Sequence, residues 1–368
     1  MNKSLIYITY QSFPAHTANS LQTMTHLNYF ANENLDVKLI FPLRNKESSS
    51  NITELSKLYK INSNIEIHGT IHPLPFKKIQ RLEKYMYIVS HYLWSYFTVE
   101  RYYRKNKNSF FFTRSEWVFY FLSKKKMNVI HECHQLSKNK KHLIKKSLSN
   151  KNSKVVYLTK EMSDELKGVN NENSYIIPSG FDENIFKIIP EIKKEKKIIY
   201  SGSMLRFGKS RGLEKIIEYF QDPFFENFKL LIVSNDLSKV QFENKFNCNV
   251  DSPNIEYIEK IDSLYLAKLI NSCSVGLLIN NKSEHAERFT SPLKYFEYIA
   301  CGLKVLSTNS VAHNELPFQE NIYYFDLNNF EEFKYSITGL FDSSESFNQN
   351  VDDYSMSSRI NKIIDIYK

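Results

Sequence analysis

An α/β protein of two domains is what the sequence predicts. Short apolar, β-branched runs recur along the chain, each followed by a longer stretch whose apolar residues have helical spacing, which is the rhythm of βαβ units and parallel sheets. Twelve such runs exceed one typical sheet, so two sheets are expected. A length of 368 residues agrees, being too long for one ordinary domain and about right for two.

In the first half the strand candidates are residues 5–10, 37–41, 110–113, 129–131, 155–159 and 175–177. The charged, apolar-poor stretch 45–64 reads as a loop with a short helix. After Ile177 the run Pro178, Ser179, Gly180, Phe181 and Asp182 makes a turn, and residues 190–197, rich in Lys and Glu, read as a solvated linker. Strand candidates resume at 198–201, 230–233, 255–258, 275–279, 305–308 and 322–325. Residues 343–353 form a polar connection to a last helix at 356–367, and no internal repeat has a fixed period.

Composition excludes several classes. A hydrophobic share of 42% with 24% charged residues is globular, and no apolar run approaches the roughly 18 residues that span a bilayer. The first ten residues are too short in their apolar stretch, and too β-branched, for a signal peptide, so a cytoplasmic address is expected. Cys133, Cys248, Cys273 and Cys301 lack the close pairs of zinc sites and read as reduced thiols. The net charge of +9 is uneven: residues 1–190 carry 28 Lys and Arg against 15 Asp and Glu, whereas 191–368 carry 21 against 25. Such asymmetry fits a polyanion facing the first half, whether nucleic acid, an anionic membrane or an acidic small molecule.

The most informative segment runs from Phe289 to Gly302. Ser291 is expected as N-cap, Pro292 as the first helical residue and Gly302 as the stop, giving a helix of about nine residues. Its first amides would make an anion cradle suited to a diphosphate. Glu297 lies deep enough to accept from vicinal ribose hydroxyls, with Leu293, Phe296 and Ile299 as the apolar stripe. A capped core helix with an exposed glutamate fits the same residues.

The stretch from Ser291 to Gly302 closely resembles the donor-binding motif of retaining glycosyltransferases of the GT-B fold, family four, also called glycosyl transferases group 1. Other segments resemble that family in the correct order: Tyr7 to Leu27 its first strand, loop and helix; Ile177 to Asp182 its interdomain turn; Ile199 to Ser203, with Gly202, the opening of its nucleotide domain. Tyr354, Ser355, Arg359, Ile363 and Ile364 resemble the closing helix that crosses back to the first domain. The resemblance implies two Rossmann-like domains facing across a cleft: an acceptor domain at 1–185, a nucleotide-sugar domain at 186–350, and a helix at 351–368 packing back on the first.

It also implies site residues. Glu297 matches the ribose-binding glutamate, and Thr290, Ser291, Pro292 and Leu293 match the segment facing the diphosphate. Arg211, before Gly212, takes the position of a family lysine, and Arg206 is a second diphosphate candidate, since guanidinium forks suit phosphate oxygens. Glu132 and His134 match a Glu-x-His loop whose histidine faces the donor sugar; His131 reads as a core histidine. His16, Ala18, Asn19 and Ser20 occupy a loop that in the family usually bears glycine and approaches the reaction centre. The family places a further glutamate eight residues before the ribose-binding one, where this chain has Phe289; either backbone groups and Glu287 substitute in catalysis, or the donor sugar packs on an aromatic, or activity is lost, of which a working enzyme is the expectation.

The first half also mixes Lys77, Lys78, Arg81 and Lys84 with Tyr85, Tyr87, Tyr92, Trp94, Tyr96, Phe97, Tyr102 and Tyr103, and adds a cluster at Lys138, Lys140, Lys141, Lys145, Lys146, Lys151 and Lys154. Rings and lysines in this mixture suit an anionic membrane surface, although a helix with core aromatics and solvated lysines fits too. No RRM, KH, zinc-finger or helix-turn-helix signature accompanies it, so no nucleic-acid partner is expected.

The expectation is a glycosyltransferase that moves a sugar from a nucleotide-sugar donor to a glycan or lipid-linked acceptor, cytoplasmic and peripheral on the inner membrane face. Retention is implied by the resemblance. Neither metal nor cofactor is expected: no Asp-x-Asp occurs, and the nucleotide sugar is substrate. The rivals are a nucleotide-sugar epimerase of the same fold and a non-catalytic polyanion- or membrane-binding scaffold.

Overall fold

The computed structural model describes all residues except 1–3, 16, 45, 63, 74–82, 167–170, 207, 235, 281–286, 343–346 and 348. The chain forms two compact units, Met1–Ile177 with Ile360–Lys368, and Pro178–Arg359. The first division falls before 185 because Phe181 and Phe186 belong to the core of the second unit, and Phe181 pairs with Ser355 there. Residues 351–359 also count with the second unit: Met356 donates its amide to Glu183 at 3.0 Å, and Arg359 Nε donates to the Pro178 carbonyl at 2.8 Å.

The first unit has strands β1 (Ser4–Ile8), β2 (Asp36–Leu43), β3 (Ile65–Ile71), β4 (Phe110–Thr113), β5 (Val129–Cys133), β6 (Ser153–Tyr157) and β7 (Ser174–Ile176). They form one parallel sheet in the order β3-β2-β1-β4-β5-β6-β7. Helices α1 (Ala18–Asn32), α2 (Ile52–Tyr59), α3 (Glu83–Tyr102), α4 (Glu116–Lys124), α5 (Lys138–Leu148) and α6 (Lys160–Asp164) connect them. Leu5, Ile6, Tyr7 and Ile8 are all buried, because a central parallel strand is covered on both faces and reads as a continuous apolar run. Strand β3 is absent from the sequence-based assignment: Glu66, His68 and Gly69 interrupt its apolar pattern, as an edge strand permits.

In the second unit β8 (Glu195–Gly202), β11 (Lys229–Ser234), β12 (Ile255–Ile258), β13 (Cys273–Leu278), β14 (Lys304–Thr308) and β15 (Ile322–Phe325) form a parallel sheet in the order β12-β11-β8-β13-β14-β15. A small antiparallel hairpin, β9 (Leu205–Arg206) with β10 (Lys209–Ser210), follows β8. The helices are α7 (Leu213–Tyr219), α8 (Lys239–Phe246), α9 (Ser263–Ser272), α10 (Leu293–Ala300), α11 (Val311–Asn314) and α12 (Phe330–Asp342), and the last helix, α13 (Met356–Tyr367), counts with this unit to Arg359 and with the first from Ile360. Strand β8 begins at Glu195, inside the stretch expected as linker. The period-2 pleat separates two cores: Ile198, Tyr200, Leu230 and Ile232 pack on one face, Ile199, Leu231 and Val233 on the other. Burying each such side chain contributes about 1.5–3 kcal/mol, so both faces of both sheets are needed to hold the strands.

In each unit the strand order reverses beside the first strand, between β1 and β4 and between β8 and β13. In open parallel sheets ligands bind outside the carboxyl ends of the strands at such a switch point. The candidate site residues lie there.

Candidate active site

In the first unit, Arg114 follows β4 directly and gathers the switch point. Its Nη2 lies 2.7 Å from the carboxylate of Glu132, which is fully buried on β5. Its Nη1 donates to Asn19 Oδ1 at 2.7 Å and Thr23 Oγ1 at 3.3 Å, both on α1. Glu132 in turn hydrogen-bonds His134 Nε2, and His26 Nδ1 stands 3.8 Å from its other oxygen. Glu132, His134 and Asn19 are thus brought into one network by an arginine that carries no sequence motif. His16 lies outside the described residues. Ala18 opens α1, whose N-cap is Thr17; Ser20 is buried and gives its amide to the Thr17 hydroxyl at 3.2 Å, so its part is in capping. His131 is a core residue: it stacks on Phe119 at 5.1 Å, and burial holds its imidazole down at about 3, neutral at physiological pH.

A second group sits on the carboxyl ends of β3, β2 and β1. Tyr10 stacks on His91 of α3 at 4.0 Å, the Arg44 guanidinium lies 4.4 Å from the Tyr10 ring centroid, and both Tyr10 and Ser90 hydroxyls reach His72 Nε2, at 2.7 and 2.8 Å. His72, Arg44, Tyr10, Arg114 and His134 each lie within two residues of the end of a strand, across five adjacent strands.

In the second unit the motif helix α10 begins one residue later than expected. Pro292 is its N-cap and Leu293 its first residue, with no side chain capping the amides; Gly302 ends it at φ +73°. Ser291 is not the cap because a tertiary partner claims it: its Oγ accepts the Ser179 amide at 2.9 Å, while Ser179 Oγ donates to the Ser291 carbonyl at 3.0 Å. The start of α10 keeps its unsatisfied amides, and with them the positive end of the dipole.

Lys294, in the first turn of α10, is the residue that sequence reasoning missed. Its ammonium lies 4.0 Å from the centroid of the Tyr200 ring, within cation–π range. It runs past Gly202, whose φ of +126° favours glycine, and a Cβ there would come within 2.2 Å of Lys294 Cε and push the end of the lysine aside. Burial, with Arg211 adding to it, pushes the Lys294 ammonium well below its ordinary range. Burial and then Arg211 likewise lower Arg206 to about 10, and Arg206 Nη1 donates to Asn280 Oδ1 at 3.1 Å beyond β13. Glu297, one turn along from Lys294, is raised to about 7 by burial, against the attraction of Lys294. Arg206, Arg211 and Lys294 therefore crowd positive charge together, with the half-buried carboxyl group of Glu297 beside Lys294.

The loop carrying Arg206 is fixed by Asp236, whose carboxylate accepts the amides of Met204 at 2.8 Å and Leu205 at 3.2 Å. Gly212 caps α7 in a left-handed conformation, φ +98°, with its amide on Ser210 Oγ at 2.9 Å, and the Arg211 amide donates to the Met204 carbonyl at 3.2 Å. Phe289 is 5% exposed, its ring facing the Arg288 guanidinium at 5.1 Å, so it is a core residue. Glu287 is exposed, and among the described residues no hydrogen bond or ion pair joins it to Glu297, Arg211 or Lys294.

No protein-family profile and no curated protein sequence matches the chain. Solved structures do match along its whole length. Sucrose-phosphate synthase from Thermosynechococcus elongatus aligns with a TM-score of 0.72 at 13% identity, covering 100% of this chain and 98% of that one. S. aureus TarM, solved with fondaparinux, α-GlcNAc-glycerol and UDP, aligns at 0.67 and 10% identity, covering 100% of both. Anabaena HepE, solved with UDP-glucose, aligns at 0.62 and 10% identity, covering 98% of both. The fold is the GT-B fold of these proteins.

Proposed function

We propose that the chain is a retaining glycosyltransferase that transfers a hexosyl or related group from a nucleotide sugar to a glycan or lipid-linked acceptor in polysaccharide or glycolipid biosynthesis. The observation that carries this reading is the cationic group Arg206, Arg211 and Lys294, with Glu297 beside Lys294, at the switch point of the second sheet and beside the uncapped start of α10. Cations crowded together destabilise one another, and a diphosphate supplies the missing negative charge. Glu297, as carboxylate, accepts from the ribose hydroxyls. UDP and UDP-glucose in the structures of TarM and HepE support a nucleotide-sugar donor.

As the glycosidic bond to the donor breaks, negative charge develops on the leaving diphosphate and positive charge on the sugar. Arg206, Arg211 and the amides of Leu293 and Lys294 are fixed before the reaction and stabilise the leaving group, which is the work an electrophilic metal would do elsewhere. No cofactor enters this scheme. In the first unit His134 is assigned to the sugar, with the buried Glu132 holding its imidazole, and the Tyr10, Arg44 and His72 edge takes the acceptor. Glu287 keeps a place as the sugar-side carboxylate in place of the family glutamate. Retention rests on the resemblance of the Ser291–Gly302 motif. We place the protein in the cytoplasm, peripheral to the membrane.

Nucleoside diphosphate release from a panel of nucleotide sugars, with and without glycan and lipid-linked acceptors, tests the reading. Acceptor-dependent release that falls at least 100-fold in Glu297→Ala and Arg211→Ala is the expected result. Interconversion of nucleotide sugars without acceptor identifies an epimerase, and binding without turnover, indifferent to both substitutions, identifies a scaffold.

A further inference from the structure

Helix α3 is inverted in polarity. Toward the protein it buries Ser90, His91, Ser95 and Thr98 along with Trp94 and Val99. Toward solvent it presents Tyr85 (68% exposed), Ile88, Val89, Tyr92, Tyr96 and Phe97 (59% exposed). These outward positions recur at helical spacing, so they form one stripe roughly 18 Å long. An ordinary surface helix keeps polar residues outward, whereas here the outer face is apolar and the inner face mixed, and a contiguous exposed apolar patch of this kind marks an interaction surface.

The stripe abuts α4, whose Phe121 is buried and Trp117 half-buried. Tyr92 packs on Trp117 at 4.9 Å and Tyr96 on Phe121 at 5.4 Å, while Lys124 and Lys146 stand 4.8 and 5.6 Å from the Tyr120 ring beside them. Lys124, Lys145 and Lys146 are exposed, as are Arg101, Arg104 and Lys105 at the far end of α3. Trp94 and Lys154 do not belong to this surface: Trp94 is buried and donates to Thr70 Oγ1 at 2.8 Å, and the Lys154 ammonium donates to the Ile366 carbonyl. Residues 76–82 of the same basic stretch lie outside the described residues.

We infer that the outer face of α3, with the lysines of α4 and α5, docks on an anionic phospholipid surface. Tyrosines suit the headgroup zone because the ring is apolar and the hydroxyl wet, and lysines at the rim meet lipid phosphate. The occupant follows from charge: residues 1–190 carry 28 basic against 15 acidic side chains, which favours an anionic partner and opposes a second copy of the same face. Among the described residues no helix is long and apolar enough to cross a membrane, so the contact is a surface one. The inference gives the acceptor reading a place at the membrane without depending on catalysis.

Cosedimentation of the full chain with vesicles of phosphatidylcholine containing 30% phosphatidylglycerol, against phosphatidylcholine alone, tests it. Preferential binding to the anionic vesicles is expected, weakened at least tenfold both in Tyr85→Ser/Ile88→Ser/Phe97→Ser and in Lys124→Glu/Lys145→Glu/Lys146→Glu, with circular dichroism melts confirming that both fold. In Trp94→Phe, where Trp117 is the remaining tryptophan, its emission should shift to the blue on binding. Absence of binding at low salt, or binding unaffected by the α3 triple substitution, overturns the inference. A dimer in sedimentation velocity that the α3 substitutions dissociate, with no vesicle binding, overturns it in favour of a second copy.

Discussion

The guanidinium of Arg114 and the carboxylate of Glu132 form an ion pair at 2.7 Å, with the carboxylate fully buried and the guanidinium side chain only 6% exposed. Desolvating both charges is costly, and removing one partner leaves the other buried and uncompensated. Arg114→Met and Glu132→Gln are each expected to lower stability by about 3–5 kcal/mol. The double substitution should cost clearly less than the sum, because the pair goes together. Urea unfolding of the four proteins gives the coupling energy.

The same carboxylate also holds His134: Arg114 shares Glu132 with the His134 imidazole. Arg114→Lys keeps the charge but not the guanidinium fork that also reaches Asn19 and Thr23. It should recover part, and not all, of the stability lost in Arg114→Met, read in the same urea unfolding.

Glu297 gives a pH dependence of known sign. Its carboxyl is raised to about 7 by burial, so the folded state prefers it protonated, and this contribution to stability is present at low pH and lost as pH rises through about 7. Glu297→Gln should match the natural chain in stability at pH 5 and exceed it by about 1–2 kcal/mol at pH 8. Donor binding runs the other way, since ribose hydroxyls need the carboxylate. Apparent donor affinity should rise through pH 7 in the natural chain and stay flat in Glu297→Gln, followed by calorimetry across pH 5.5–8.5.

Gly202 tests the path of Lys294. Gly202→Ala puts a methyl group within 2.2 Å of Lys294 Cε at a φ of +126°, and should cost about 1–3 kcal/mol. Shortening the lysine in Gly202→Ala/Lys294→Ala relieves the clash but leaves the backbone strain, so part of the loss should return in a thermal melt. Full recovery would mean that φ at position 202 is unstrained.

Much of the fold was legible because buried parallel strands are written as apolar, β-branched runs, and all twelve of those runs are strands. Strand β3 was hidden by Glu66, His68 and Gly69, which only its place at a sheet edge explains. The Ser-Pro pair at 291–292 reads locally as a cap, but Ser179, far away in sequence, takes the serine hydroxyl. Lys294 and Arg114 carry no pattern of their own. Their importance comes from what the fold places around them: the Tyr200 ring and Gly202 for one, Glu132 and Asn19 for the other. Motif residues such as Glu297 and Arg211 were found by resemblance, whereas the burial that shifts Glu297 exists only once the sheet is packed.

Calorimetric titration of UDP, GDP and ADP into the full chain at pH 8 tests most directly whether the group around Glu297 is a nucleoside-diphosphate site. At least one of the three should bind with a Kd below about 1 mM, and Arg211→Ala should weaken it at least tenfold, about 1.4 kcal/mol. No binding by any of them, or binding unchanged in both Arg211→Ala and Glu297→Ala, would contradict the account.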